Sequence, residues 1–479
     1  MKFPLPLSSF FKSSLFVCSF LLIATIAQAQ SESEKTQRLD QTIEQLRENL
    51  SIPGMAIAVS QNGKMLYSQA FGYADLKEKI PATDSTLFRL ASVSKLLTNM
   101  AIVKLHQEGK LNIEEAVETY LPDYPHAGKG VTIQRLCRHL GGIRHYQGGD
   151  FTNGFKHYEN TEESLALFID DPLSNEPGSE YQYSTFAYTL LQAVIEAASG
   201  KDFLSYLEED IFTPLGMKHS VPDQVGSFYA NRSQLYRVNK KGKAKSTSHD
   251  DPSYKWGGGG MLSSVCDMIA FGEAHLQGDF LSAESRKLMF TPAVVMPSFD
   301  DKTSIGLTWR IGTDARGQSI YHHAGSMNGA RSFLLLCPEE GLVISILSNA
   351  NVLDWIPHLA FSVKDILLQP LPSASKELAT IWRVVESDTK TEFGNIQLSG
   401  DYPIYQCQVD LPELIGNPLI LNLCATNEGE SIQLKNVKVN SSVLYFEASW
   451  NAAEKSNQLE LVYRDDDEVM KKSFLLMAK

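Results

Sequence analysis

Apolar and polar positions follow three different rhythms along this chain. Leu15 to Ile26 is an apolar run of twelve residues, preceded by Lys2 and Lys12 and followed by Ala27-Gln28-Ala29. This pattern predicts a secretory signal peptide cut after Ala29. The run is short for a membrane span, and Phe16-Val17 before Cys18 is a poor lipidation sequence. Residues 31–50 shift to helical spacing, with Leu39, Ile43, Leu46 and Leu50 on one stripe. Ile52-Pro53-Gly54 ends that helix. Met55 to Val59 and Met65 to Tyr67 are short apolar runs joined by Gln61-Asn62-Gly63, which predicts a hairpin. Helical spacing returns from Ser92 to Leu111 (Leu96, Leu97, Met100, Val103, Leu105), with Gly109 as the stop, and again from Tyr188 to Ala198. The glycine run Gly257 to Gly260 marks a loop or a close backbone approach. Phe333 to Cys337 and Leu342 to Leu347 flank Pro338-Glu-Glu-Gly341, as in a hairpin at the middle of a sheet.

The rhythm changes near Pro370-Leu-Pro-Ser-Ala-Ser375. A short helix is expected up to Val385. After it, period-two alternation covers Tyr405 to Val409, Leu419 to Leu423, Ile432 to Val439, Leu444 to Ala448 and Leu459 to Tyr463. Residues 371–479 therefore read as a separate all-β domain, a sandwich or small barrel, behind a main domain over 30–370 and the signal peptide at 1–29. Composition changes this picture little: 43% hydrophobic and 21% charged residues are ordinary for a globular protein and exclude disorder. The net charge of −13 argues against nucleic acid and anionic membrane surfaces as partners. Five cysteines follow the signal peptide: Cys137, Cys266, Cys337, Cys407 and Cys424. An odd, scattered set without CxxC spacing is no disulfide scaffold. Cys407 and Cys424 lie in adjacent expected strands, where they either pair in an oxidising compartment or remain buried thiols.

The usual catalytic signatures are absent: GxSxG, HExxH, a P-loop and GxGxxG. No histidine spacing suggests a metal site beyond adjacent His322-His323, so neither metal nor cofactor is expected. Four SxxK quartets occur, and Ser92-Val-Ser-Lys95 alone opens an apolar-periodic helix after an extended Leu87 to Leu90. Positions i and i+3 share a helix face, so the Lys95 ammonium can reach the Ser92 hydroxyl. A serine becomes a nucleophile when a neighbouring base takes its proton, and a helix N-terminus favours negative charge. The bland reading is a helix-capping serine with a surface lysine. Tyr183 lies in the polar turn Pro177 to Thr185 before the second helix, either pointing its hydroxyl into a cleft or packing. Tyr321-His-His-Ala-Gly-Ser326 opens a strand whose small residues admit a substrate backbone.

Taken in order, Ser92-x-x-Lys95, Tyr183-Ser-Thr185 and His323-Ala-Gly325 resemble the three motifs of the class C β-lactamase and D-Ala-D-Ala carboxypeptidase family of penicillin-recognising serine hydrolases. Ala91 to Lys95, His139-Leu-Gly-Gly-Ile143, Pro177 to Ser179, Pro214-Leu-Gly-Met217 and Gly259 to Ser263 agree, and the resemblance covers about residues 36–365. Residues 136–146, Tyr183 to Thr185 and Ser253 to Gly257 look most like the LACTB-like branch, which is associated with peptidase activity. The resemblance implies an α/β fold, an antiparallel sheet flanked by helices with a helical subdomain between residues 95 and 255. It implies Ser92 as the acylated nucleophile, Lys95 and Tyr183 as its proton acceptors and relays, and His323 as the group that orients the Tyr183 hydroxyl or a substrate carboxylate. It implies an oxyanion hole from the N–H groups of Ser92 and Ser326, and substrate contacts at Thr185, Ala324 and Gly325. Three departures stand out. Thr185 replaces a usual asparagine, Leu140-Gly141 replaces two hydroxyl residues, and Ala324 replaces threonine or serine. Together they imply weak β-lactam handling and a less polar site that demands a carboxylate less. The expected function is a periplasmic or secreted serine hydrolase acting on a peptide, amide or ester. The alternative is a penicillin- or cell-wall-fragment-binding module with little turnover. A small-molecule or peptide substrate is the expected partner, with the oligomeric state open.

Overall fold

The computed structural model describes residues 33–239, 242–296, 303–314, 317–352 and 356–368, and beyond them the eight strands given below. The signal peptide and the Pro370 to Ser375 boundary lie outside the described residues.

Helix α1 spans residues 33–49 and buries Leu39, Ile43 and Leu46 completely. It is followed by the hairpin of β1 (Gly54–Gln61) and β2 (Lys64–Asp75). Asn62 and Gly63 carry φ of 50° and 78° at its tip, the paired left-handed conformation that suits the right-handed twist of a two-residue hairpin. These strands enter a nine-stranded sheet of order β3-β2-β1-β14-β13-β12-β11-β10-β9, with antiparallel pairing throughout. Its members are β3 (Ile80–Pro81), β9 (Val294–Val295), β10 (Ser304–Ile305), β11 (Arg310–Thr313), β12 (Ser319–Met327), β13 (Ala330–Cys337) and β14 (Leu342–Ser348). Because β1 pairs with β14, segments nearly 300 residues apart meet at the sheet centre.

Every residue of β13 and β14 is buried, which requires cover on both faces. Leu334, Leu336, Val343 and Leu347 join the main apolar core. There α9 (Val265–Leu276) comes so close that a Cβ at Gly272 would overlap Val343. The alternate residues Leu335, Ile344 and Ile346 are equally buried, on the face that completes the sheet's cover with α11 (Ile356–Leu368). Lys35 of α1 donates to the carbonyl of Leu367 at 2.7 Å and joins these two outer helices.

The helical part holds α2 (Ser94–Gln107), α3 (Ile133–Cys137), α4 (Thr161–Leu165), α5 (Phe186–Ser199), α6 (Phe203–Tyr206), α7 (Thr213–Leu215), α8 (Trp256–Gly259) and α10 (Ala283–Met289). Helices α2, α5 and α8 pack on one another. Gly200, at φ 72°, closes α5. Gly257 to Gly259 of the glycine run lie in α8, a helical turn and not a loop. Two short strands, β4 (Phe88–Arg89) and β5 (Val221–Pro222), flank β8 (Met261–Ser263). β6 (Tyr236–Val238) and β7 (Ala244–Ser246) form a small hairpin. Arg89, in the strand just before Ser92, is buried. Its guanidinium meets Asp223 at 2.5 Å and Asp250 at 2.6 Å and donates to the Asp250 carbonyl at 2.7 Å.

Strands β15 (Ile381–Glu386), β16 (Glu392–Asp401), β17 (Ile404–Asp410), β18 (Leu419–Glu428), β19 (Ser431–Val437), β20 (Leu444–Asn451), β21 (Ser456–Asp465) and β22 (Glu468–Ala478) follow one another round a closed barrel. β22 pairs with β15 to seal it, leaving no open edge. Of the two expected forms, the C-terminal unit is therefore the barrel. The short helix expected up to Val385 is corrected: Ile381-Trp-Arg-Val-Val385 forms β15, as its β-branched and aromatic residues favour. Cys407 stands opposite Leu421 and Cys424 opposite Ile404. The two cysteines are three register positions apart, about 10 Å along the strands. That exceeds the roughly 4.4–6.8 Å between Cα atoms that a disulfide spans, so the register excludes the pairing.

Replacing Arg89 by leucine takes the shared cation from half-buried Asp250 and leaves buried Asp223 with Arg232 alone. Breaking one side of such a cluster costs about 3–5 kcal/mol. Denaturant unfolding of Arg89→Leu is expected to show a loss near the lower end of that range, because Arg232 remains on Asp223.

Candidate active site

The turn before α2 is built under strain. Ala91 has φ 47°, a region that a Cβ disfavours, and residues 91–93 make a 3-10 turn that delivers Ser92 at the mouth of the helix. Strand β12 lies directly against this turn. A Cβ at Gly325 would overlap the Leu90 carbonyl oxygen and the Ser332 hydroxyl, and Ser332 itself donates to the Leu90 oxygen at 2.6 Å. Gly325 is thus required by close approach.

Lys95, one helical turn beyond Ser92, is 0% exposed. Its ammonium donates to the Ser92 Oγ at 3.2 Å, the Thr185 Oγ1 at 3.2 Å and the Gly258 carbonyl at 2.5 Å, one acceptor for each of its three hydrogens. The surface-lysine alternative is thereby excluded. Burial lowers the Lys95 pKa, against the opposing pull of Tyr183. The glycines explain how the third acceptor arrives: a Cβ at Gly258 would lie 2.5 Å from the Thr185 methyl group. Only a bare backbone lets α8 reach the start of α5.

The Tyr183 hydroxyl donates to the Ser92 Oγ at 2.8 Å. Burial alone would raise the Tyr183 pKa. The Lys95 charge, the hydrogen bonds and Arg310 outweigh it, so the phenol ionises below its ordinary value of 10. Two histidines frame this tyrosine. The His139 carbonyl accepts from the Gln182 N–H at 2.9 Å, and its Nδ1 accepts from the Ser184 N–H at 3.1 Å. Its ring lies 4.5 Å from that of Tyr183. His145 Nδ1 accepts from the Thr185 N–H at 3.2 Å, with its ring edge-on to Tyr183 at 5.4 Å. A ring nitrogen that accepts a backbone N–H carries no proton, so both imidazoles are neutral with the proton on Nε2. Burial, reinforced by Lys95, holds His139 well below its usual pKa and His145 down to about 4.

A cleft of about 310 Å3 opens over Ser92. Of the residues singled out in the sequence, Ser92, Tyr183, Thr185, Ala324, Gly325 and Ser326 line it, and Lys95 lies buried beneath. Two expectations are corrected. His323 is 1% exposed and pairs its Nδ1 with the Ala324 carbonyl at 2.9 Å. Among the described residues it makes no hydrogen bond to Tyr183, whose placement falls to His139 and His145. Thr185 lines the cleft while its hydroxyl accepts from Lys95. The site is also not the less polar one that the lost hydroxyls implied. Lys255 and Arg310 line it, and no carboxylate does among the described residues. His139, His145, Lys255 and Arg310 are contributions that the motif spacing did not reveal. His139 and His145 fall in the 136–146 window and Lys255 in the 253–257 window, the only signal that pointed near them. Among the described residues no group of His, Cys, Asp or Glu side chains could hold a metal ion, and no helix is long and apolar enough to cross a membrane.

A serine hydroxyl met by a buried ammonium and by an acidified phenol is equipped for nucleophilic attack on a carbonyl carbon. Comparison with known proteins leads to the same chemistry. The profile of the Beta-lactamase family matches residues 39–359. The chain is 31% identical over 411 residues to the serine beta-lactamase-like protein LACTB, mitochondrial, of Homo sapiens, covering 64% of this chain and 75% of that protein. It is 28% identical over 374 residues to penicillin-binding protein 4* of Bacillus subtilis (strain 168), covering 73% and 81%. Its fold is like that of the octameric penicillin-binding protein homologue from Pyrococcus abyssi, with a TM-score of 0.62 at 20% identity over 92% of this chain and 99% of that one.

The neutral histidines carry a pH consequence. Protonation at Nδ1 would displace the backbone N–H bonds, and the unfolded chain takes that proton near pH 6.5. A depressed folded pKa therefore gives stability that is full above about pH 6.5 and is lost as pH falls toward about 4. Thermal melting is expected to show this loss, and His145→Asn, a neutral acceptor, is expected to flatten part of it.

Proposed function

Because the chain belongs to the Beta-lactamase family, we propose that it is a secreted serine hydrolase that transfers an acyl group through a covalent ester on Ser92. The acyl donor is a peptide, amide or ester, with peptidase or esterase action ahead of β-lactam turnover. One observation carries this reading: Tyr183 Oη at 2.8 Å and Lys95 Nζ at 3.2 Å converge on the Ser92 Oγ.

In the reactive form Tyr183 has lost its proton and Lys95 balances the phenolate. Ser92 Oγ attacks the carbonyl carbon while its proton passes to Tyr183 Oη. The tetrahedral oxyanion lies between the N–H groups of Ser92 and Ser326, where one such donor is worth about 3–4 kcal/mol. Collapse breaks the bond to the leaving nitrogen or oxygen, which takes the proton from Tyr183. A water molecule then loses a proton to the same phenolate and attacks the ester, and Ser92 leaves with that proton from Tyr183, which restores the phenolate. His139 and His145 hold the main chain on either side of Tyr183 during these transfers, and Ala324 and Gly325 let substrate lie along β12. Thr185, bonded to Lys95 and shorter than an asparagine, offers no amide to a β-lactam side chain, which favours the peptidase or esterase reading. In this reading residues 1–29 are a cleaved export signal that directs the protein to the periplasm or outside the cell. Residues 30–370 form the hydrolase domain and 371–479 a distinct β-domain.

Intact-mass measurement after incubation with a fluorophosphonate, and separately with a fluorescent penicillin, tests the proposal. Wild type is expected to gain the phosphonyl mass at Ser92 and Ser92→Ala to gain none, with slow labelling by penicillin. Absence of any adduct on Ser92 would overturn acyl transfer, and a rapidly forming and decaying penicillin adduct would replace the peptidase reading with a β-lactamase one.

The pH profile supplies a second measurement. The labelling rate is expected to rise with pH through an ionisation below 10, as the phenolate of Tyr183 forms, and Tyr183→Phe is expected to lower it about 10²-fold or more.

A further inference from the structure

Among the described residues Lys255 is a buried cation that forms no ion pair. It ends the 3-10 turn before α8 and is 8% exposed. Among the described residues its ammonium makes no hydrogen bond or ion pair. It rests on the faces of Tyr146, at 5.3 Å, and Tyr254, at 4.9 Å. The carboxylate that would balance it, Asp250, is already bound by Arg89 at 2.6 Å. Lying between two open cavities, Lys255 can take its counter-charge from a ligand. Burial, against the pull of Asp250, lowers the Lys255 pKa to about 8, which still leaves the ammonium charged at neutral pH.

Its position joins two cavities. Lys255 lines the cleft over Ser92 and also a larger cavity of about 730 Å3. The two share Tyr146, Lys255, Ser326 and Met327. The far walls of the second cavity carry the cations Arg237 and Lys245 and the hydroxyl and amide side chains of Ser246 and Asn328, groups suited to a peptide backbone. Among the described residues its one lining carboxylate is that of Asp250.

We propose that Lys255 binds a carboxylate of the substrate, so that the acyl donor is an acidic peptide running from Ser92 past Ser326 and Met327 into the second cavity. The anion is then held from the α8 side of the cleft and not from the third motif, where Ala324 lacks the hydroxyl. This inference rests on the reading of the cleft as the hydrolase site and adds the class of substrate.

The test measures binding and needs no turnover. Ser92→Ala protein is titrated calorimetrically with N-acetyl tetrapeptide amides in which a single glutamate is stepped through an otherwise neutral sequence, each paired with its glutamine counterpart. At one position the glutamate peptide is expected to bind about tenfold tighter than its partner, the worth of a charged hydrogen bond. That preference is expected to vanish in Ser92→Ala/Lys255→Gln and to persist in Ser92→Ala/Lys255→Arg. Equal binding of every pair, a glutamate preference that survives Lys255→Gln, or no binding by any peptide would overturn the proposal. Thermal melting of each variant guards against misfolding. Fluorophosphonate labelling of the intact Ser92 protein reports the nucleophile separately, so a failure of acyl transfer and a failure of carboxylate recognition give different results.

Discussion

An ammonium sealed from water must be ringed by oxygen, and Lys95 imposes that demand on its own turn and on two distant pieces of chain. The start of α2 supplies the Ser92 hydroxyl, the start of α5 the Thr185 hydroxyl, and α8 the Gly258 carbonyl. Each element must arrive at hydrogen-bond distance, and each carries a visible accommodation. Ala91 adopts a left-handed conformation, and Gly257 and Gly258 have no side chain where a Cβ would meet the Tyr188 carbonyl at 2.7 Å and Thr185 at 2.5 Å. The same cation then lowers the Tyr183 pKa. One buried charge thus positions the nucleophile and acidifies the phenol beside it.

The field it creates extends to the neighbours. His139, His145 and His323 all lie below their ordinary pKa, through burial first and Lys95 or Arg310 next. Remaining neutral suits His139 and His145, because a neutral Nδ1 can accept the backbone N–H groups on the C-terminal side of Tyr183. Lys255 and Arg310 add positive charge around the cleft. A site of this sign favours species that gain negative charge, both the oxyanion of acyl transfer and an anionic substrate group.

The sheet contributes the other wall. Strand β12 can abut the Leu90 to Ala91 turn only because Gly325 has no side chain. Arg89, immediately upstream, ties the same turn to residues 223 and 250 of the helical part. The cleft therefore occupies the junction of two structural units, and its geometry depends on how firmly that junction is closed.

Local features were legible in the residues themselves. The Asn62-Gly63 hairpin, the helix that Ser92 opens, the β13–β14 hairpin and the alternating strands of the barrel all depend on contacts between near neighbours, and local pattern encodes such contacts directly. Ser92 and Lys95 were legible for the same reason, since three residues along a helix is a fixed distance. The strand Ile381 to Glu386 was misread because six residues are too few to separate a helical from an extended rhythm. What the tertiary structure alone decided is the set of contacts between segments remote in sequence. It turned Thr185 toward Lys95, set His139 and His145 around Tyr183 and His323 against its own strand, left Lys255 without an ion pair among the described residues, and placed Cys407 and Cys424 out of register. These outcomes depend on which backbone meets which across 40 to 160 residues or on strand register, and no spacing along the chain records that distance.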